Sequence, residues 1–137
     1  MTALFQNHSG SVGANLDQMR MILDGFAPAE LGLAFDLGHA LLVHGEGWRP
    51  HFEQLKPHLR VAYIKDAKQG VGWVPFGEGD MAGSGYFGLL RALGYDAPLS
   101  LHIEFDWSEK GKAKTRSKLL NALRNCARTL RSWLSHA

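Results

Sequence analysis

Four short apolar stretches punctuate the chain, each of strand length and each running into polar residues: Thr2-Ala3-Leu4-Phe5, Gly32-Leu33-Ala34-Phe35, Val61-Ala62-Tyr63-Ile64 and Leu99-Ser100-Leu101-His102-Ile103. Continuous apolar runs of this length are the pattern of strands covered on both faces, as in parallel sheets. Between them lie segments with helical spacing: Asn15 to Leu23, Trp48 to Pro57, Ser84 to Leu93, and a long last one from about Thr115 to Ser135. In the last segment Leu119, Leu120, Leu123, Ala127, Leu130 and Leu134 recur every three or four positions, with Trp133 beside them, and make one apolar stripe.

Strand and helix thus alternate four times, which predicts an α/β fold with a parallel sheet and right-handed crossovers. No internal repeat, low-complexity tract or Pro/Gly-rich linker divides the sequence, so residues 1–137 read as one compact unit. Composition agrees: 45% hydrophobic and 20% charged residues over 137 positions exclude a disordered tail or a fibrous repeat. No apolar run approaches the roughly 18 residues a membrane span requires. Met1 to Phe5 also lacks the basic start and long apolar middle of a signal peptide. The expectation is a cytoplasmic protein with no membrane partner.

Cys126 is the single cysteine, which excludes an intrachain disulfide and a thiolate zinc centre. Any metal would be held by His, carboxylate or amide groups. Charge is uneven: the segment from Lys112 onward holds seven of the 15 Lys/Arg and none of the 13 Asp/Glu. A basic tail can suit nucleic acid, but these cations sit within an amphipathic helical pattern and read as a solvated helix face, so no nucleic-acid partner is expected.

The chemistry lies just past the strands. The first runs into Gln6-Asn7-His8-Ser9-Gly10, the second into Asp36-Leu37-Gly38-His39, the third into Lys65-Asp66, and the fourth contains His102 and Glu104. In parallel α/β folds ligands collect at the strand C-termini, where loops vary over a rigid scaffold. Alternation then places Gln6, Asp36, Tyr63 and His102 on one face as a candidate polar ring.

Each group also has a plain structural role open to it. Asp36 suits the cap of a following helix, His8 and His39 suit hydrogen-bonded structural histidines, and Lys65-Asp66 suits a surface ion pair of little weight. Pro75-Phe76-Gly77-Glu78-Gly79-Asp80 has the glycines of a tight turn or of a close backbone approach to a ligand. His102 with Glu104 in an apolar setting favours function, since burying both without partners costs several kcal/mol by order of magnitude. No phosphate loop, dinucleotide fingerprint or His-Glu-x-x-His motif is present.

Taken in order, Gln6-Asn7-His8-Ser9-Gly10, Phe35-Asp36-Leu37-Gly38-His39-Ala40, Ile64-Lys65-Asp66, Val74-Pro75-Phe76-Gly77-Glu78-Gly79 and Leu99-Ser100-Leu101-His102-Ile103-Glu104-Phe105 resemble the second half of the sugar phosphate isomerase/epimerase family, the xylose-isomerase-like TIM-barrel group. The likeness extends to the closing helix and implies strands five to eight of a (β/α)8 barrel. It implies an activity in which a divalent cation, Mn²⁺ or Mg²⁺, polarises a sugar or polyol carbonyl while carboxylates move a proton between adjacent carbons. It maps the metal site onto Asp36, with Gln6 and His102 standing where the family has glutamates and Tyr63 where it has a histidine. His39 maps to a substrate contact. His8 and Lys65 join it as substrate-binding candidates, and Glu104 and His102 are the acid/base candidates.

Because three of the four ligand types differ, a subfamily without the metal, a non-catalytic carbohydrate-binding barrel, is the alternative. A nucleic-acid-processing barrel is a weaker third. A whole barrel of this kind typically needs about 250 residues, so half a barrel is expected here: part of a longer protein, one half of a homodimer that completes the barrel, or a remnant with rearranged packing.

Overall fold

The computed structural model describes residues 2–108 and 113–136. Four parallel strands, β1 (Ala3–Gln6), β2 (Leu31–Asp36), β3 (Leu59–Ile64) and, last in the chain, β6 (Leu99–Leu101), form a sheet in the order β1-β2-β3-β6. Strand neighbours in the main sheet follow chain order, as in a barrel wall wound in one direction. The connections carry α1 (Leu16–Leu23), α2 (Leu37–His44), α3 (Trp48–Leu55) and α4 (Tyr86–Ala92), and α5 (Arg116–His136) closes the chain. A small antiparallel hairpin, β4 (Ala67–Lys68) and β5 (Gly72–Trp73), follows β3.

The sheet register separates two faces. Phe5 pairs with Leu33, Phe35 with Ala62, and Ile64 with Leu101, and these side chains turn toward the helices. Phe35 sits at the centre of an aromatic nest, with ring centroids 4.8 Å from Phe52, 5.7 Å from Tyr86 and 6.2 Å from Trp48. Leu16, Met19 and Leu23 of α1 and Leu90 of α4 complete the core. The other face carries Gln6 opposite Ala34, and Asp36, Tyr63 and Ser100 in one row. On that face Ala34 and Asp36 are buried, Gln6, Tyr63 and Ser100 are half-buried, and Leu4 at the β1 edge is 44% exposed.

Three sequence expectations are corrected. The fourth strand stops at Leu101, so His102 and Glu104 lie beyond it; the His102 N–H still bonds Ile64 O at 2.9 Å, continuing the line of the strand. The second crossover holds two helices rather than one. α2 begins directly at the strand end, with Asp36 as its cap: Asp36 Oδ1 accepts the His39 N–H at 3.2 Å. The cap open to Asp36 is its one local signal, since Leu37, Ala40, Leu41, Leu42 and Val43 are apolar and leave no polar face for a helical period to show. In α5 the buried seam runs through Cys126 and Leu130, with Trp133 and Leu134 packed alongside, whereas Leu123 is exposed.

Candidate functional site

The site grows from the polar residues that follow β1, β2, β3 and β6. Asn7 is fully buried and holds two strand ends together: its Oδ1 accepts the Asp36 N–H (2.7 Å) and its Nδ2 donates to Asp36 O (2.8 Å). With the backbone of Asp36 clamped in this way, its carboxylate projects into the row formed by Gln6 and Lys65. Gln6 Nε2 donates to Asp36 Oδ2 (2.9 Å), and Lys65 Nζ stands 3.0 Å from the same oxygen.

Lys65 is the hub. Its Nζ also lies 3.0 Å from Glu104 Oε1 and 3.0 Å from His39 Nε2, and its side chain is 2% exposed. Burial raises the Asp36 pKa; the Lys65 charge, the Lys65 bond, the His39 N–H and Gln6 oppose the rise. His39 is lowered to about 3, first by burial and then by the charge of Lys65 and the neighbouring His8 and His102. It is therefore neutral, with Nδ1 accepting the Ser9 N–H at 3.1 Å and facing Ser9 Oγ at 2.8 Å, and with Nε2 turned to the Lys65 ammonium.

Two aromatic contacts fix this cluster. His8 stacks on His39 with centroids 3.9 Å apart, and the Trp73 ring meets His39 edge-on at 4.7 Å while its face lies 5.3 Å from Lys65 Nζ. The hairpin β4–β5 thus delivers a tryptophan to the site. Gly38 permits this closeness, because a Cβ there would stand 2.8 Å from the Trp73 ring and 3.2 Å from Lys65 Cβ.

The surface ion pair read for Lys65-Asp66 is corrected. Asp66 is buried and turned away from solvent, where Oδ2 accepts the N–H groups of Gly77 (2.8 Å) and Gly79 (3.1 Å) and Oδ1 accepts that of Met81 (3.2 Å). The glycine loop accordingly wraps a carboxylate of its own chain. Gly77 supplies a positive φ of 99°, and Gly79 leaves no room for a Cβ, which would meet Asp66 Oδ1.

Of the sequence candidates, Gln6, Asp36, His39, Lys65 and Glu104 are drawn into one connected network, with His8 on its rim. His102 sits apart in bonding: its Nε2 lies 3.0 Å from Ser100 Oγ and its ring packs on Tyr63 with centroids 4.4 Å apart. Asn7 and Trp73 carry as much of the geometry as the residues singled out from sequence. A polar residue just past a strand was the available signal for Asn7; for Trp73 there was none, since a hairpin decides its position.

The residues mapped to a metal do not fit one as they stand. Asp36 Oδ2 already takes bonds from Gln6 and Lys65, Gln6 presents its amide nitrogen rather than its oxygen, and His102 is turned to Ser100. Among the described residues, no three His, Cys, Asp or Glu side chains are arranged to hold a metal ion.

With this geometry in view, comparison with known proteins places the fold. The family described as the xylose isomerase-like TIM barrel matches residues 1–126. The chain belongs to that family. Two solved structures are similar. One is the probable 3-DHS dehydratase AsbF of petrobactin synthesis from Bacillus anthracis, at 17% identity and a TM-score of 0.67. The other is a xylose isomerase domain protein from Planctomyces limnophilus, at 22% identity and a TM-score of 0.59. Each likeness covers 96% of this chain but only 49% and 45% of the respective neighbour, so the chain spans about half of their length. No curated protein matches it. The half-barrel expectation therefore stands, with the four strands described above forming the xylose isomerase-like sheet. No helix among the described residues is long and apolar enough to cross a membrane.

Proposed function

We propose that this half-barrel carries the acid/base side of a sugar or polyol isomerase or epimerase, working by proton transfer next to a carbonyl. The observation that carries the reading is Glu104: a carboxylate past the end of β6, bonded through Oε1 to a buried lysine yet 40% exposed. A carboxylate held in this way has a fixed direction and keeps access to a bound molecule, the two things a general base needs. His102, two residues before it, is the partner acid, returning a proton to the neighbouring carbon or oxygen of the enediolate. His8, on the exposed rim against His39, and the Gln6 amide are suited to the hydroxyl groups of a polyol.

No step here runs through a divalent cation. Loss of water from the same intermediate would give the dehydratase outcome that the Bacillus anthracis neighbour's name suggests. A chain spanning about half of its structural neighbours, with Leu4 exposed at the β1 edge, calls for a second half-barrel, and a second copy of this chain is the proposed partner.

The test is proton NMR of ketoses and inosose-type polyols in D2O with the purified chain. Exchange of the proton next to the carbonyl, abolished in Glu104→Gln, is expected. No exchange with any substrate overturns the enzymatic reading. If calorimetry then shows chelator-insensitive sugar binding, the binding-barrel alternative, favoured by the altered ligand types, takes its place.

A further inference from the structure

We propose that the cation of this site is the chain's own: the Lys65 ammonium occupies the point on which Asp36, His39 and Glu104 converge, and it keeps a divalent cation out. Two carboxylate oxygens and one imidazole nitrogen surround a single position at 3.0 Å each, and that position is filled by Nζ. The spacing suits nitrogen. An ammonium bonds oxygen at about 2.7–2.9 Å, whereas Mg²⁺ demands oxygens at about 2.1 Å in near-octahedral order.

The surroundings are also built for an organic cation. The face of Trp73 lies 5.3 Å from Nζ, a contact that stabilises an ammonium. Gly38 leaves space for the lysine stem, with Lys65 Cβ 3.2 Å from where its own Cβ would stand. Gln6 points an N–H at Asp36 Oδ2, which supports an oxygen engaged with Lys65 and opposes a metal that would need that lone pair. A divalent ion entering here would meet a fixed positive charge within bonding distance of every donor it requires. Of the residues found at the mapped ligand positions, Gln6 and Tyr63 bring no charge of their own to offset it.

The consequence is a site whose charge is set by the fold and does not depend on metal supply. Lys65 acts here as a positioning residue that orients Glu104 and keeps Asp36 compensated. The inference concerns cation binding and does not depend on turnover, so the proposed proton transfer can fail while it stands.

The experiment is a titration of the full chain with MnCl2 alone, followed by calorimetry and by the EPR signal of free Mn²⁺. The wild type is expected to bind Mn²⁺ no more tightly than about 1 mM. Lys65→Met, and Lys65→Met combined with Gln6→Glu, are expected to gain binding by tenfold or more, with circular dichroism confirming the fold. One Mn²⁺ bound by the wild type at micromolar Kd, and lost in Asp36→Asn, overturns the inference. So do folded variants that bind no more tightly than the wild type. Should neither variant fold, the wild-type titration decides by itself, weak binding supporting the inference and tight binding ending it.

Discussion

Lys65 Nζ lies 3.0 Å from Asp36 Oδ2, with both side chains essentially sealed from solvent at 2% and 0% exposure. Two charges so placed are held by each other and by their remaining bonds, because removing either leaves an uncompensated charge in a poor solvent for it. Asp36 is additionally fixed through its own backbone by Asn7, so it cannot swing out to find water.

Lys65→Met is therefore expected to destabilise the fold by about 3–5 kcal/mol, the usual cost of breaking a buried pair from one side. Adding Asp36→Asn should recover part of that loss. Denaturant unfolding of the two single variants and the double gives the coupling; a double variant as unstable as the sum of the singles would show that the pair is not coupled.

Glu104 bonds the same lysine but is 40% exposed, so its part in stability is small. Glu104→Gln should change stability by no more than about 1 kcal/mol while lowering proton exchange by about 10²–10⁴-fold. A melting curve and an NMR exchange assay on the same sample separate the two effects. Large destabilisation with exchange retained would reverse the assignment.

Two glycines distinguish close approach from mere flexibility. Gly38→Ala would place a methyl 2.8 Å from the Trp73 ring and 3.1 Å from Lys65 O, and is expected to cost about 1–3 kcal/mol through overpacking. Gly88, inside α4, faces open space, and Gly88→Ala should stabilise by up to about 1 kcal/mol. Thermal unfolding of the pair, measured together, checks both signs.

Away from the site, His44 Nε2 accepts the Leu16 N–H at 3.1 Å, and its ring lies 4.8 Å from that of His51, which pairs with Asp17 at 3.1 Å. Burial and His51 lower the His44 pKa, with Asp17 opposing. A histidine lowered on folding binds fewer protons in the native than in the unfolded state. Its contribution is thus intact above the ordinary value of 6.5 and is lost as pH falls below it. His44→Gln, which keeps an acceptor for Leu16, should flatten the fall in stability on acidification below pH 6.5. Taking the difference from wild type removes the opposite-signed contributions of Asp36 and Asp66, both raised by burial. Equal slopes in urea unfolding at several pH values would refute the role of His44.

How far the sequence could be read depended on whether a signal was local. The strands and α1, α3, α4 and α5 were legible to within a few residues because each has its own apolar period or run, and Asn15 caps α1 as its residue type suggests, accepting the Asp17 N–H at 2.8 Å. The polar strand ends were legible for the same reason, since Gln6, Asp36, Lys65 and Glu104 stand out against the apolar stretches before them. α2 was not, because Leu37, Ala40, Leu41, Leu42 and Val43 make it apolar on its exposed side as well as its buried one, and neither was the β4–β5 hairpin, whose strands of two residues are too short to carry a pattern.

By itself, then, the sequence determined a half-length α/β unit with chemistry at one end of its sheet, because hydrophobic patterning and strand-end polarity are properties of neighbouring residues. Only the tertiary structure decided what that chemistry is made of. Lys65 meets Glu104, 39 positions away, and Trp73 comes to meet His39 edge-on. Whether a lysine is a surface partner of Asp66 or the buried cation between Asp36, His39 and Glu104 depends on strand order and a hairpin. Those long-range pairings set the burial and the charges that each side chain meets, and no local pattern encodes them.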